Sequence, residues 1–135
     1  LDRELEYLRN YVDLQRMRFE GDVTIDFEVQ GTVRGCRIEP MLLIPFVENA
    51  VKHGVSFVQD PYIQVVFSID HGKLIFQVKN KKGKMKDDVK DESSGIGLKN
   101  VLRRLDLLYP NEHRLTIRDT EEVFEVDLQM TLQQH

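Results

Sequence analysis

Apolar positions along this chain recur first with helical spacing and then with strand spacing. Leu1, Leu5, Leu8, Val12 and Phe19 fall near one stripe, and Tyr7, Tyr11 and Leu14 widen it, so the pattern predicts a helix over Leu1–Phe19. Gly21-Asp22 follows, glycine being the usual residue just past a helix end. Periodicity leaves two uses for the stripe open: packing on the domain's own core, or on a partner helix. Val23 to Val29 then alternates cleanly and predicts a strand with one buried face. Gly31 and Gly35 flank a turn, and Cys36-Arg37-Ile38 reads as a short strand or an extended lead-in.

A second helix is predicted over Pro40–His53, with Pro40 at the first helical position and Gly54 as the cap. Leu42, Leu43, Phe46, Val47, Ala50 and Val51 form its apolar face, leaving Glu48, Asn49, Lys52 and His53 on the other side. Tyr62–Ile69 and Lys73–Asn80 read as strands joined by a hairpin turn at Asp70-His71-Gly72. Lys81 to Ser94 is nearly devoid of apolar residues, and a loop of that length in a compact domain is usually functional or disordered. A third helix, Leu98–Tyr109, buries Val101, Leu102, Leu105 and Leu108 and stops at Pro110. A last hairpin, Arg114–Asp119 and Val123–Leu132, closes the chain. Hairpin-linked strands interleaved with amphipathic helices predict an α+β two-layer sandwich, a mixed and mostly antiparallel sheet with helices on one face.

Composition narrows the class. The 135 residues, with 41% hydrophobic and 31% charged side chains, are those of one globular domain. The longest apolar run, Met41–Val47, contains Pro45 and falls far short of the ~20 residues that span a bilayer. The single cysteine, Cys36, excludes an internal disulfide and points to a reducing compartment. A formal net charge of -4 removes the global basic field that nucleic acid requires. No nucleic acid partner and no direct membrane contact are therefore expected. The chain opens at Leu1 and reads as a piece of a longer protein.

Three features nonetheless converge on a phosphate ligand. Gly95-Ile96-Gly97 precedes a helix, whose first N–H groups lack internal partners and attract anions. A lone Gly-x-Gly is often only a helix cap. Asn49, Lys52 and His53 are spaced by three and four on one helix face, where an amide oxygen suits Mg²⁺ and the two bases suit phosphate oxygens. The bland alternative is a solvated face with a Glu48–Lys52 pair, worth ~0.3–0.5 kcal/mol. The charged segment Lys81–Ser94 suits a lid over a nucleotide, or an inert insertion.

A resemblance joins these features. Glu48-Asn49-Ala50-Val51-Lys52-His53-Gly54, preceded by Pro40-Met41-Leu42-Leu43-Ile44-Pro45, resembles the N-box of the LytS/YehU-type sensor histidine kinases. Ser94-Gly95-Ile96-Gly97-Leu98-Lys99-Asn100-Val101, running on to Arg104-Leu105 and Leu108-Tyr109-Pro110, resembles their second glycine box and its helix. Glu4-Leu5 through Tyr11-Val12 to Arg18-Phe19 is similar to the segment joining the phosphoacceptor helices to the ATP-binding domain.

The resemblance implies the ATP-binding (GHKL) sandwich fold, with residues 1–20 ending a connecting helix and 21–135 forming the catalytic domain. It implies ATP and Mg²⁺ as ligands. Asn49 would hold the metal, Lys52 and His53 would lie near the phosphates, and the N–H groups of Gly95, Ile96, Gly97 and Leu98 would cradle them. It implies partners too: phosphoacceptor helices upstream in the same protein, homodimeric at full length, and a response regulator. The segment would lie on the cytoplasmic side of a membrane-anchored parent. Two departures stand out. Asn80 occupies the place of the family's adenine-binding Asp, and Gly83 is out of the expected register. Pro45 stands where related ATPases carry the Glu that activates water. No histidine precedes His53, so the phosphoacceptor is not in this segment, and no catalytic residue is assigned. The expected function is the ATP-binding catalytic domain of a sensor histidine kinase. The alternative is a degenerate GHKL domain that serves as a binding scaffold with little catalysis.

Overall fold

A computed structural model of the protein describes residues 1–32, 35–54, 60–82 and 92–134, with the backbone alone for 53–54, 92–97 and 133–134. The order is α1 (Asp2–Phe19), β1 (Thr24–Gly31), β2 (Cys36–Arg37), α2 (Ile44–Gly54), β3 (Tyr62–Asp70), β4 (Lys73–Lys81), α3 (Glu92–Leu108), β5 (His113–Asp119), β6 (Val123–Thr131) and β7 (Gln133–Gln134). Five strands form one sheet in the order β1-β3-β4-β6-β5. Its β1–β3 pair is parallel and the other three pairs are antiparallel. Cys36 and Arg37 pair with Gln134 and Gln133 in a small second sheet. This is the mixed, mostly antiparallel α+β sandwich that the alternation predicts.

The alternating strands bury one row each against the helices. Ile63, Val65, Phe67 and Ile69 of β3 sit beside Leu74, Phe76 and Val78 of β4. Phe76 is central, its ring 6.4 Å from that of Phe46 on α2 and 6.3 Å from that of Phe67. Such tilted and edge-on pairs add to the burial of large apolar area. The opposite face of the sheet stays polar: Arg114, Thr116 and Arg118 of β5 and Glu125, Asp127 and Gln129 of β6 line a shallow depression of about 260 Å³ there.

The α1 stripe packs on the domain's own core through Leu5, Leu8 and Val12, whereas Tyr7 and Leu14 are exposed. The helix ends with Glu20 in the left-handed region and its N–H on the Arg16 carbonyl, one residue before the glycine. His71 and Gly72 both have positive φ, the backbone of a tight primed hairpin turn between β3 and β4. No helix among the described residues is long and apolar enough to cross a membrane.

Two helix starts differ from the sequence reading. The second helix starts at Ile44 rather than Pro40, because side chains from α1 and α3 take the polar groups of the preceding turn. Pro45 thereby falls in the first helical turn, where its missing N–H has no helical partner to lose. The third helix starts at Glu92 rather than Leu98, so Ser94, Gly95 and Gly97 lie inside it. At its far end Leu108 is exposed, and Val101 and Leu105 supply the buried face.

Candidate functional site

Helix α2 has a buried face and an open one. Phe46, Val47, Ala50 and Val51 are buried, and the helix packs on β3, β4 and α3. Asn49 is left half-buried and Lys52, three residues on, exposed. Those two expected ligands therefore share a face that the core does not consume. The backbone of His53 continues the same helix; its side chain lies outside the described residues. Glu48 is exposed and neighbours Tyr11 of α1. Partial burial, and then the Glu48 charge, push the Tyr11 phenol above its usual pKa, so it stays neutral at physiological pH.

Asn80 is the sharpest feature. It continues the buried row Leu74, Phe76, Val78 at the end of β4, between Ile63 and Phe124 on the neighbouring strands. It is 1% exposed. Its Nδ2 donates to the Lys81 carbonyl at 3.2 Å. Its Oδ1 is buried and has no hydrogen-bond partner among the described residues. The Lys81 carbonyl sets the amide's orientation, since a flipped amide would oppose two oxygens. A buried acceptor left unmet forfeits about 1–3 kcal/mol, so it calls for an explanation.

The expected phosphate cradle is arranged differently from the sequence reading. Gly95, Ile96, Gly97 and Leu98 belong to the first turns of α3 rather than preceding it. Only the first few N–H groups of a helix are free, so those of Ile96, Gly97 and Leu98 are taken up by the helix itself. Two glycines in those turns make them weak, each less favourable than alanine by about 1 kcal/mol. Of the expected lid, residues 83–91 lie outside the described residues. Its first part is tied to the β5–β6 hairpin: Lys82 donates its N–H to the Glu122 carbonyl at 2.8 Å, and its ammonium meets Asp119 and the Thr120 carbonyl.

Sequence reasoning missed three side chains that shape the entry to α2. Glu4, 6% exposed, accepts N–H bonds from Met41 at 3.0 Å and Leu43 at 3.1 Å. Arg104 donates to the carbonyls of Pro40 at 2.9 Å and Met41 at 3.2 Å. The Tyr109 hydroxyl accepts from the Glu39 N–H at 2.9 Å. Burial raises the Tyr109 pKa; that hydrogen bond works against the rise. One signal was available for Glu4: it falls between Leu1 and Leu8 at helical spacing from both, a charge set within an apolar stripe. Among the described residues no three His, Cys, Asp or Glu side chains gather as a metal cluster.

No protein-family model matches the chain. It is 28% identical over 132 residues to the sensor protein LytS of Staphylococcus haemolyticus, covering 90% of this chain and 23% of that protein. It is 25% identical over 125 residues to the sensor histidine kinase YesM of Bacillus subtilis, covering 90% and 22%. The chain thus spans about a quarter of the length of these curated relatives. Among solved structures, the catalytic domain of histidine kinase ThkA matches with a TM-score of 0.62 at 15% identity, over 93% of this chain and 90% of that one. The blue-light activated histidine kinase EL346 of Erythrobacter litoralis matches with 0.67 at 14% identity, over 94% and 41%. Full-length ShkA, solved with AMPPNP, matches with 0.60 at 18% identity, over 95% and 30%.

Proposed function

Starting from a chain whose relatives are sensor histidine kinases and whose fold is that of their catalytic domains, we propose that it binds Mg·ATP and donates the γ-phosphate to a histidine on helices that precede this segment in its parent protein. A response regulator then takes the phosphate, and the parent works as a homodimer.

The observation that carries the proposal is Asn80. Its buried Oδ1 is an acceptor without a donor among the described residues, held in place through the Lys81 carbonyl. The amino group of adenine supplies the missing donor; the carbonyl that guanine carries at the same position would oppose it. Asn49 offers the metal an amide oxygen: Mg²⁺ is a hard cation that takes oxygen ligands and is held largely by substrate phosphates. Bound there, the ion would neutralise charge on the transferring phosphate. Lys52 adds a cation on the same face, and the glycine-bearing first turns of α3 can loosen to present N–H groups to phosphate. Pro45 offers no base, so water is not activated from this helix position. That suits a kinase, whose phosphate must reach a side chain rather than solvent.

The test is a calorimetric titration of the chain with ATP and GTP, with Mg²⁺ and with EDTA. Binding of ATP over GTP, strengthened by Mg²⁺ and lost in Asn49→Ala, is expected. Supplying the upstream helices with radiolabelled ATP should then yield phosphohistidine. An absence of nucleotide binding would favour the scaffold reading, and rapid phosphate release by the chain alone would point to an ATPase instead.

A further inference from the structure

We infer that Glu4 is a positioning residue of the nucleotide site: through its buried carboxylate, the seating of α1 decides where α2 holds Asn49. The inference rests on the reading of α2 as the metal-binding helix. Glu4 lies on the α1 face that also buries Leu5 and Leu8. Each of its oxygens accepts one backbone N–H, Oε2 from Met41 and Oε1 from Leu43, and no cation pairs with it among the described residues. A buried carboxylate is tolerated only when hydrogen bonds replace its water, so these two bonds are structural necessities for the carboxylate and the turn alike.

The turn they hold has no ladder of its own. From the other side Arg104 of α3 takes the carbonyls of Pro40 and Met41, and the Tyr109 hydroxyl takes the Glu39 N–H. The backbone of residues 39–43 is thus suspended between side chains of α1 and α3. Met41 adopts φ 63, a left-handed conformation that residues with a Cβ avoid unless their surroundings impose it. The first bond of the next turn follows at once, from the Phe46 N–H to the Leu43 carbonyl at 3.1 Å. Asn49 comes five residues after Ile44, so it lies roughly 8 Å along a helix whose origin this turn sets. A helix of this length moves as a unit, and a shift at its origin is carried to the ligand.

Glu4→Gln tests the inference with little change in size. The glutamine keeps one acceptor, but its NH₂ confronts an N–H donor, so one of the two bonds becomes a repulsion. Amide hydrogen exchange should speed up at least tenfold over residues 46–50 while the β3, β4 and β6 amides exchange as before. The ratio of ATP affinity with Mg²⁺ to that with EDTA should fall about tenfold. Val12→Ala, which destabilises α1 without touching the carboxylate, should leave that ratio unchanged. Should Glu4→Gln not fold, Glu4→Asp keeps the charge on a shorter arm and should give a smaller loss in the same ratio. A wild-type ratio together with wild-type exchange in α2 would overturn the positioning role. If the unmodified chain binds no ATP, the site reading fails and this role with it, even where exchange in α2 responds.

Discussion

Replacing Asn80 with leucine should part stability from binding. Leucine keeps the branching at Cγ and removes both polar atoms. The orphan Oδ1 forfeits about 1–3 kcal/mol of hydration in the folded chain. The bond lost with it, Nδ2 to the Lys81 carbonyl, is worth about 0.5–1.5 kcal/mol. The balance favours leucine by about 1 kcal/mol, which for a domain of this size raises Tm by roughly 3–5 °C. Nucleotide binding moves the other way. The adenine amino group would meet a methyl group, and the loss of one buried bond, about 1.4 kcal/mol, weakens ATP about tenfold. Thermal melts followed by circular dichroism give the first number and calorimetric titration the second. A fall in Tm of several degrees would refute the reasoning about the oxygen, because it would mean that Oδ1 is satisfied in the folded protein. A raised Tm with unchanged ATP affinity would keep that reasoning and remove Asn80 from the base site.

Alanine at both Gly95 and Gly97 should firm the start of α3 by about 2 kcal/mol in helix propensity and weaken ATP binding, seen as a higher Kd without a lower Tm; an unchanged Kd would take these turns out of phosphate binding. Gly31→Ala should destabilise the fold by several kcal/mol in a urea melt, because Gly31 has φ 92 and an added Cβ would stand 1.9 Å from the Ile69 carbonyl oxygen of the paired strand; a loss below about 1 kcal/mol would contradict that packing. Tyr11 and Tyr109 both have raised pKa values, so above pH 10 the unfolded chain releases their protons first. Their contribution is whole below that pH and is lost as pH rises through the folded values. Stability measured by urea melts should fall as pH rises above about 10, and Tyr11→Phe should flatten that fall.

What the sequence determined by itself is the succession of elements. Apolar alternation in Ile63–Ile69, Leu74–Val78 and Val126–Met130 can be satisfied only by strands with one buried face, and the α1 stripe only by a helix. The pairing of Asn49 with Lys52 on one helix face follows from spacing alone. Tertiary structure decided what spacing cannot carry. Pro40 suits a helix start by local preference, yet Glu4 and Arg104, from distant parts of the chain, claim the polar groups of residues 40–43 and move the start to Ile44. The parallel pairing of β1 with β3 arises because the α2 connection crosses over between them, not from any residue in either strand. That Asn80 is an oriented acceptor without a donor among the described residues depends on the Lys81 carbonyl and on burial beneath the helices, and both exist only once the layers have closed.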